Sequence, residues 1–219
     1  MSIVTIRGQL ESGAAEVGKQ VTDKLKADYI DQEIIAGVAA RLRRQEYEVT
    51  KKEMPPSTLL GRVAEALETS YSFGDGMAGA YLPVGQIPLD DHRYLEALET
   101  VIKEVVRNRS KPLVILGRGS QFILKDYSET LHVLVVAPLE VRVKRLMQRL
   151  NLDPEAARQE ITRYDNSLRK FFKRYFKVEP EEPVHYDLVI NTGRCNFQAA
   201  ASVVVDALSS KIFGRQNSS

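Results

Sequence analysis

Thr5-Ile6-Arg7-Gly8-Gln9-Leu10-Glu11-Ser12-Gly13-Ala14-Ala15 reads as an apolar strand running into a glycine loop and then a helix. Far along the chain, Val114-Ile115-Leu116-Gly117-Arg118-Gly119 repeats the strand-into-glycine pattern, and a helix carrying Arg142, Arg145 and Arg149 follows. Free N–H groups at a helix start point at an anion and the helix dipole adds to them, so a strand–loop–helix unit can hold phosphate. Together the two segments read as a phosphate-handling α/β protein. Gly8 and Gly13 have the spacing of the two glycines in G-x-x-x-x-G-K-[ST], but Ala14 stands at the lysine position and Ala15 at the Ser/Thr position. The spacing alone fits a tight strand–helix turn equally well.

The surrounding apolar pattern supports the α/β reading. Ile3–Ile6, Leu113–Leu116, Leu131–Val136 and Leu188–Ile190 are short, nearly continuous apolar runs, with Tyr29-Ile30 a weaker fifth. Continuous rather than alternating runs are what strands covered on both faces look like. Between them lie helical stripes through Val17, Val21 and Leu25, through Leu95, Leu98, Ile102 and Val105/Val106, and through Val143, Leu146, Met147 and Leu150. Two more run through Ala157, Ile161, Tyr164, Leu168, Phe171/Phe172 and Tyr175, and through Phe197, Ala200/Ala201, Val204 and Leu208. Asp153-Pro154 is a helix start, and Gln32–Arg44 reads as a helix after Asp31. Strands alternating with helices predict a three-layer parallel sheet of about five strands. Pro55–Leu89 holds a short helix near Leu59–Thr69 and then a glycine-rich loop, a place for a lid or substrate lobe.

Composition narrows the function classes. The 219 residues suit one domain, expected over 1–213, with 46–89 an inserted substrate lobe, 151–178 a helical lid region and 214–219 a flexible tail. The net charge of +2 implies no global attraction to nucleic acid or acidic membrane. Cys195 is the single cysteine, which excludes an internal disulfide and fits a reducing cytoplasm. A basic-then-apolar leader and a long apolar run are both missing, so neither secretion nor membrane spanning is expected.

Charge is concentrated locally. From Arg142 to Lys177 there are eleven Lys/Arg and four Asp/Glu. Arg142, Arg145 and Arg149 share one helical face, read as opposite Leu146 and Leu150. Such an excess can stabilise the charge of a triphosphate during transfer, or it can be a solvated face or an RNA-binding patch with Tyr164, Phe171, Phe172 and Tyr175 interleaved. The spacing of those aromatics reads as core. Arg118, at the carboxyl end of a strand, can grip a phosphate with its fork or be a turn arginine. Ser12 is a phosphate or magnesium contact or a helix N-cap. Glu11 opposes a phosphate unless a cation such as Arg7 or Lys19 compensates it. Asp31 is an N-cap, or holds a nucleotide or water-bound magnesium. Asp165 and Arg169 have the spacing of an ordinary helix ion pair, and become functional only if Arg163 and Arg169 turn to the site. His92, His132 and His185 are scattered, without zinc-ligand spacing.

The ordered set of blocks resembles the cytidylate-kinase-like family of P-loop proteins. The blocks are Ile6–Gly18, Asp28-Tyr29-Ile30-Asp31, Tyr94–Arg107, Val114–Gly119, His132–Arg145, Asp165–Phe176 and Tyr186–Arg194. The resemblance implies a nucleoside-monophosphate-kinase fold with a mobile lid, and phosphoryl transfer from ATP, with magnesium, to a pyrimidine nucleotide. It implies that Gly8–Gly13 surround the ATP phosphates. Asp31 and Arg118 lie on the acceptor side, Arg163, Asp165 and Arg169 in the lid, and Asn191–Arg194 near the adenine. The catalytic set is then Arg118, Arg142, Arg145 and Arg169. Gly8, Ser12, Gly13, Arg149, Arg163, Asn191 and Arg194 bind ATP or phosphate, and Asp31 and Asp165 bind the acceptor. The chain departs from the family at Ala14, at Gly119 where an aspartate is usual, and at Glu11 in place of a small residue. Two other readings stand beside the kinase: a catalytically weak nucleotide-binding module using the same cleft, and, less favoured, an RNA-binding protein. Nucleotides are the expected partners, with self-association left open.

Overall fold

Burial of both faces of a sheet calls for helices above and below it, and the chain supplies them in alternation. The computed structural model describes residues 2–31, 37 and 91–210. The expected lobe at 46–89, the helix and loop read within Pro55–Leu89, the tail and all but Gly37 of the Gln32–Arg44 helix lie outside the described residues. The strands are β1 (Ile3–Gly8), β2 (Asp28–Ile30), β3 (Leu113–Leu116), β4 (Thr130–Val136) and β5 (Leu188–Asn191). The helices are α1 (Ala14–Leu25), α2 (Asp91–Asn108), α3 (Ser120–Ile123), α4 (Leu139–Leu150), α5 (Pro154–Tyr175) and α6 (Phe197–Ser209). A 3₁₀ turn at Pro183–His185 precedes β5.

The five strands form one sheet in the order β2-β3-β1-β4-β5, with every pairing parallel. The expected three-layer architecture is therefore observed. In register, Ile6 faces Leu116 of β3 on one side and Val133 of β4 on the other, so β1 is the central strand. Successive side chains of a strand point to opposite faces. Val4 and Ile6 pack with Val17 and Val21 of α1 and Ala200, Ala201 and Val204 of α6. Ile3, Leu113 and Ile115 pack on the other side with Tyr94, Leu98 and Ile102 of α2 and Phe171 and Phe172 of α5. Each fully buried Val, Leu or Ile side chain stabilises the fold by roughly 1.5–3 kcal/mol.

A third, smaller cluster places the site. Leu10, in the loop after β1, packs with Val143 and Leu146 of α4 and Ala157 and Ile161 of α5. The loop is thus seated on α4 and α5 by an apolar anchor. At the start of α5, the Asp153 side chain accepts a hydrogen bond from the Ala156 N–H at 2.9 Å, with proline in the first turn, as the sequence predicts. Among the described residues no helix is long and apolar enough to cross a membrane.

Candidate functional site

The two glycine segments meet at the carboxyl end of the sheet, where open α/β sheets take ligands. β1 leads into Gln9–Gly13, whose turn is closed by the Ser12 N–H on the Gln9 carbonyl at 3.0 Å. Gly13 is the N-cap of α1 with φ 86°, and no side chain caps the helix start. A Cβ at Gly13 would lie 2.2 Å from the Phe197 ring, so glycine is required on two counts. The first-turn amides of α1 have no intrahelical partner, the arrangement that accepts an anion.

The loop carbonyls are held from outside by α4 and the end of β5. Arg142 Nη1 donates to the Leu10 carbonyl at 3.4 Å. Arg145 Nη1 donates to the Glu11 carbonyl and to Thr192 Oγ1, each at 3.0 Å, and Arg145 Nη2 to the Thr192 carbonyl at 2.9 Å. Thr192 Oγ1 in turn donates to the Ser12 carbonyl at 2.5 Å. Three consecutive carbonyls are therefore drawn to this clamp. Arg149 meets the Glu11 carboxylate at 2.7 Å. Burial raises the Glu11 pKa, opposed by Arg149 and Arg145 and reinforced by Glu16. The cations that compensate Glu11 are these two arginines, not Arg7 or Lys19: Arg7 points away into the core and Lys19 is exposed.

Arg142 corrects the expected helix geometry. It is 6% exposed and buried together with Val143 and Leu146. Residues four apart share a helical face, so Arg142 lies on the side of Leu146 rather than opposite it. Its Nη1 donates to Asp165 Oδ2 at 2.8 Å. The spacing-based Asp165–Arg169 pair is replaced by this longer-range one. Arg169 turns to Glu181, with Nε and Nη2 both 3.1 Å from Oε2. Burial raises the Asp165 pKa against the effect of Arg142, and Asp165 Oδ1 has no hydrogen bond among the described residues.

On the far side of β1, Gly117, Arg118 and Gly119 all have positive φ, at 66°, 58° and 69°. A Cβ at Gly119 would lie 2.4 Å from the Phe176 ring, so a side chain there would require the ring to shift as well as the strained positive φ. The turn delivers Arg118 to Asp31, just past β2, with Nη2 3.3 Å from Oδ1. Tyr164 of α5 stands near enough to respond to Arg118, Arg7, Asp165 and Asp31, its hydroxyl pushed up chiefly by burial.

The remaining expected residues are less convergent. Arg163 is half-exposed and lies 4.0 Å from Glu160. Asn191 Oδ1 accepts from the Gly193 N–H at 2.9 Å and shapes the turn that leaves Arg194 exposed. Ser12 Oγ is buried and has no hydrogen bond among the described residues, so the hydroxyl is not an N-cap. Phe171 and Phe172 belong to the core, with Leu168 and Tyr175 packed against it, as their spacing predicts. The reading of the sequence missed Glu181, and it held Thr192 only within the Asn191–Arg194 stretch, without the contacts to Arg145 and the Ser12 carbonyl. Arg7, weighed there only as a counter-charge to Glu11, carried a signal in being the one charge that interrupts a continuous apolar strand. Thr192 carried none, because its partners are brought together by the fold.

Comparison with known proteins gives the chain its family and supports its fold. The cytidylate kinase of Halobacterium salinarum is 26% identical over 119 residues, 54% of this chain and 61% of that protein. The uronate isomerase of Corynebacterium glutamicum is 32% identical over 98 residues, 45% of this chain but only 19% of that protein. The chain thus spans less than two thirds of the length of these relatives. A crystal structure of an uncharacterized protein from Eubacterium ventriosum superposes with a TM-score of 0.65 at 16% identity, covering 96% of this chain and 99% of that one, and shares the fold. The model of the cytidylate kinase-like family matches residues 3–194, and the chain belongs to that family.

Proposed function

We propose that this chain is an ATP-dependent phosphotransferase that passes a phosphoryl group to a nucleoside monophosphate, with a pyrimidine favoured. The observation that carries this is the uncapped start of α1 behind the Gly8–Gly13 loop, at the carboxyl end of the central strand. The loop amides take the phosphates, and the positive end of α1 favours them. Phosphoryl transfer asks for positioning and charge neutralisation more than for covalent chemistry. With Ala14 in place of a lysine, the positive charge at the loop comes from Arg145 and Arg149, while Arg118 and Asp31 face the acceptor and Asp165 lines its side. Asn191 and Arg194 flank the adenine side, and Arg163 and Arg169 belong to the overlying helix. Magnesium is the ion such a triphosphate brings. Ser12 Oγ, a buried hydroxyl without a hydrogen bond among the described residues, is the loop side-chain oxygen fit to meet it.

One observation favours a second reading, a nucleotide-binding module with little turnover. Arg142 and Arg145 spend their donors on loop carbonyls and on Asp165, and Arg149 is tied to Glu11. A thermal-shift panel of ATP, CMP, UMP, dCMP and AMP, followed by a coupled assay with ATP and each acceptor, separates the two. Turnover with CMP or UMP supports the kinase. Binding without turnover establishes the module. No shift with any nucleotide removes both.

A further inference from the structure

Arg7 is a buried cation at the ligand-binding end of the sheet. It is the penultimate residue of β1 and 4% exposed. Its Nη1 donates to the Pro180 carbonyl at 3.2 Å, and its Cζ lies 4.5 Å from the centre of the Phe172 ring. Its Nη2 is buried without a hydrogen bond among the described residues, with Glu181 Oε1 3.9 Å away. The same carboxylate meets Arg169 through Oε2 at 3.1 Å. Glu181 therefore sits between two guanidinium groups, one buried and one half-exposed. A buried guanidinium is costly unless an anion stands close and its donors are filled. Here the anion is near, yet the second nitrogen remains unfilled. Burial lowers the Arg7 pKa, opposed by Tyr186, Glu181, Tyr164 and Asp165. The Gly117 N–H donates to the Ile6 carbonyl at 2.8 Å, so Arg7 follows directly on the point where β1 holds the turn that carries Arg118.

We propose that Arg7 and Arg169 form a phosphate-monoester subsite, that Glu181 fills it with its own carboxylate in the ligand-free chain, and that the acceptor's phosphate binds there by displacing Glu181. The identity of the acceptor rests on the nucleotide reading above; the anion subsite does not. An arginine fork accepts carboxylate and phosphate oxygens alike, and a phosphate brings more acceptor oxygens and more charge than a carboxylate. Glu181 is 23% exposed and can turn outward to solvent. While it stays in place it lowers apparent affinity by the fraction of molecules in which the subsite is closed.

The test uses the full chain and the variants Glu181→Gln, Arg169→Gln and Glu181→Gln/Arg169→Gln, with Arg7→Gln added if it folds. Each is titrated calorimetrically with CMP, cytidine and inorganic phosphate. The subsite predicts that Glu181→Gln binds CMP and inorganic phosphate about tenfold more tightly than the unaltered chain. Cytidine, which lacks the phosphate, should not change, and adding Arg169→Gln should abolish the gain. An unchanged or weakened phosphate affinity in Glu181→Gln overturns the proposal, as does an equal gain for cytidine. If inorganic phosphate follows the pattern and no nucleotide binds, the subsite stands and the nucleotide reading fails. If CMP is phosphorylated but Glu181→Gln changes neither anion, the subsite fails and the kinase stands.

Discussion

Asp165 shows how burial and pairing divide the control of a single residue. Its side chain and that of Arg142 are 8% and 7% exposed, and they meet at 2.8 Å. Removing one partner of a buried pair strands the other charge, so Arg142→Ala is expected to cost about 3–5 kcal/mol of stability. Loss of turnover in that variant would therefore report on the fold as well as on chemistry, and chemical denaturation must accompany the assay. Arg118→Ala, at a turn, is the better probe of charge stabilisation, with a loss of ~10²-fold or more in transfer expected and wild-type turnover ruling its role out. Asp165 also sets a pH dependence. Its pKa is raised above the ordinary 3.8, first by burial, so the folded state holds the proton to higher pH than the unfolded chain. Its contribution is fully present below 3.8 and is lost as pH rises through the folded value. Glu11, likewise raised by burial from 4.5, adds in the same direction. Denaturation midpoints measured from pH 3.5 upward should show a fall that is shallower in Asp165→Asn; equal slopes would show that Asp165 is not the titrating group.

At the scale of the element, the loop after β1 is shaped from two directions. Gly13 is forced by its left-handed φ and by Phe197, so Gly13→Ala is expected to destabilise by ~1–3 kcal/mol from overpacking, with a further ~1–2 kcal/mol from backbone strain. The outer clamp of Arg145 and Thr192 makes a separate prediction. Thr192→Val removes the hydroxyl that links Arg145 to the Ser12 carbonyl, at a cost of roughly 1–3 kcal/mol for a buried unsatisfied group. Because the carbonyl fixes the amide of the next residue, the ATP KM should rise more than the acceptor KM; equal changes would mean a purely structural role. What was legible in advance follows from which forces are local. The three inner strands, buried along nearly their whole length, read as continuous apolar runs, whereas the edge strands β2 and β5 are only part-buried and β2 showed just the weaker Tyr29-Ile30 signal. Their polar ends, such as Arg7-Gly8 and Asn191, were missed because ladder hydrogen bonds extend past the apolar stretch. α3 has four residues, too few to show a period. Glycines at both ends of the site were readable because backbone conformation restricts residue choice locally. The partners of the arginines were not, since Arg142–Asp165, Arg145–Thr192 and Arg169–Glu181 are chosen by tertiary packing, which overrides spacing on a single helix.

Across the whole molecule, α5 joins two different environments, and this decides which part of the expected lid region at 151–178 is able to move. Its first half packs Ala157 and Ile161 on α4 and on the loop anchor Leu10. Its second half carries Phe171 and Phe172 into the main core with Tyr94 and Leu98. Tyr94 meets Phe171 at 6.2 Å and Phe122 meets Phe172 at 5.6 Å, both edge to face. Aromatic pairs of this kind contribute ~0.5–1.5 kcal/mol beyond their buried area, and several share the same rings. Opening the helix end would expose this cluster, a cost close to that of global unfolding. Any ligand-linked motion of this helix is therefore expected to bend or slide it before Phe171, in the stretch that carries Tyr164, Asp165 and Arg169. Amide exchange followed with and without ATP and CMP should show protection gained within 154–170, while 171–176 exchanges at the slow global rate in both states. A uniform change along the entire helix would mean that α5 moves as one rigid body, and the boundary at Phe171 would have to be abandoned.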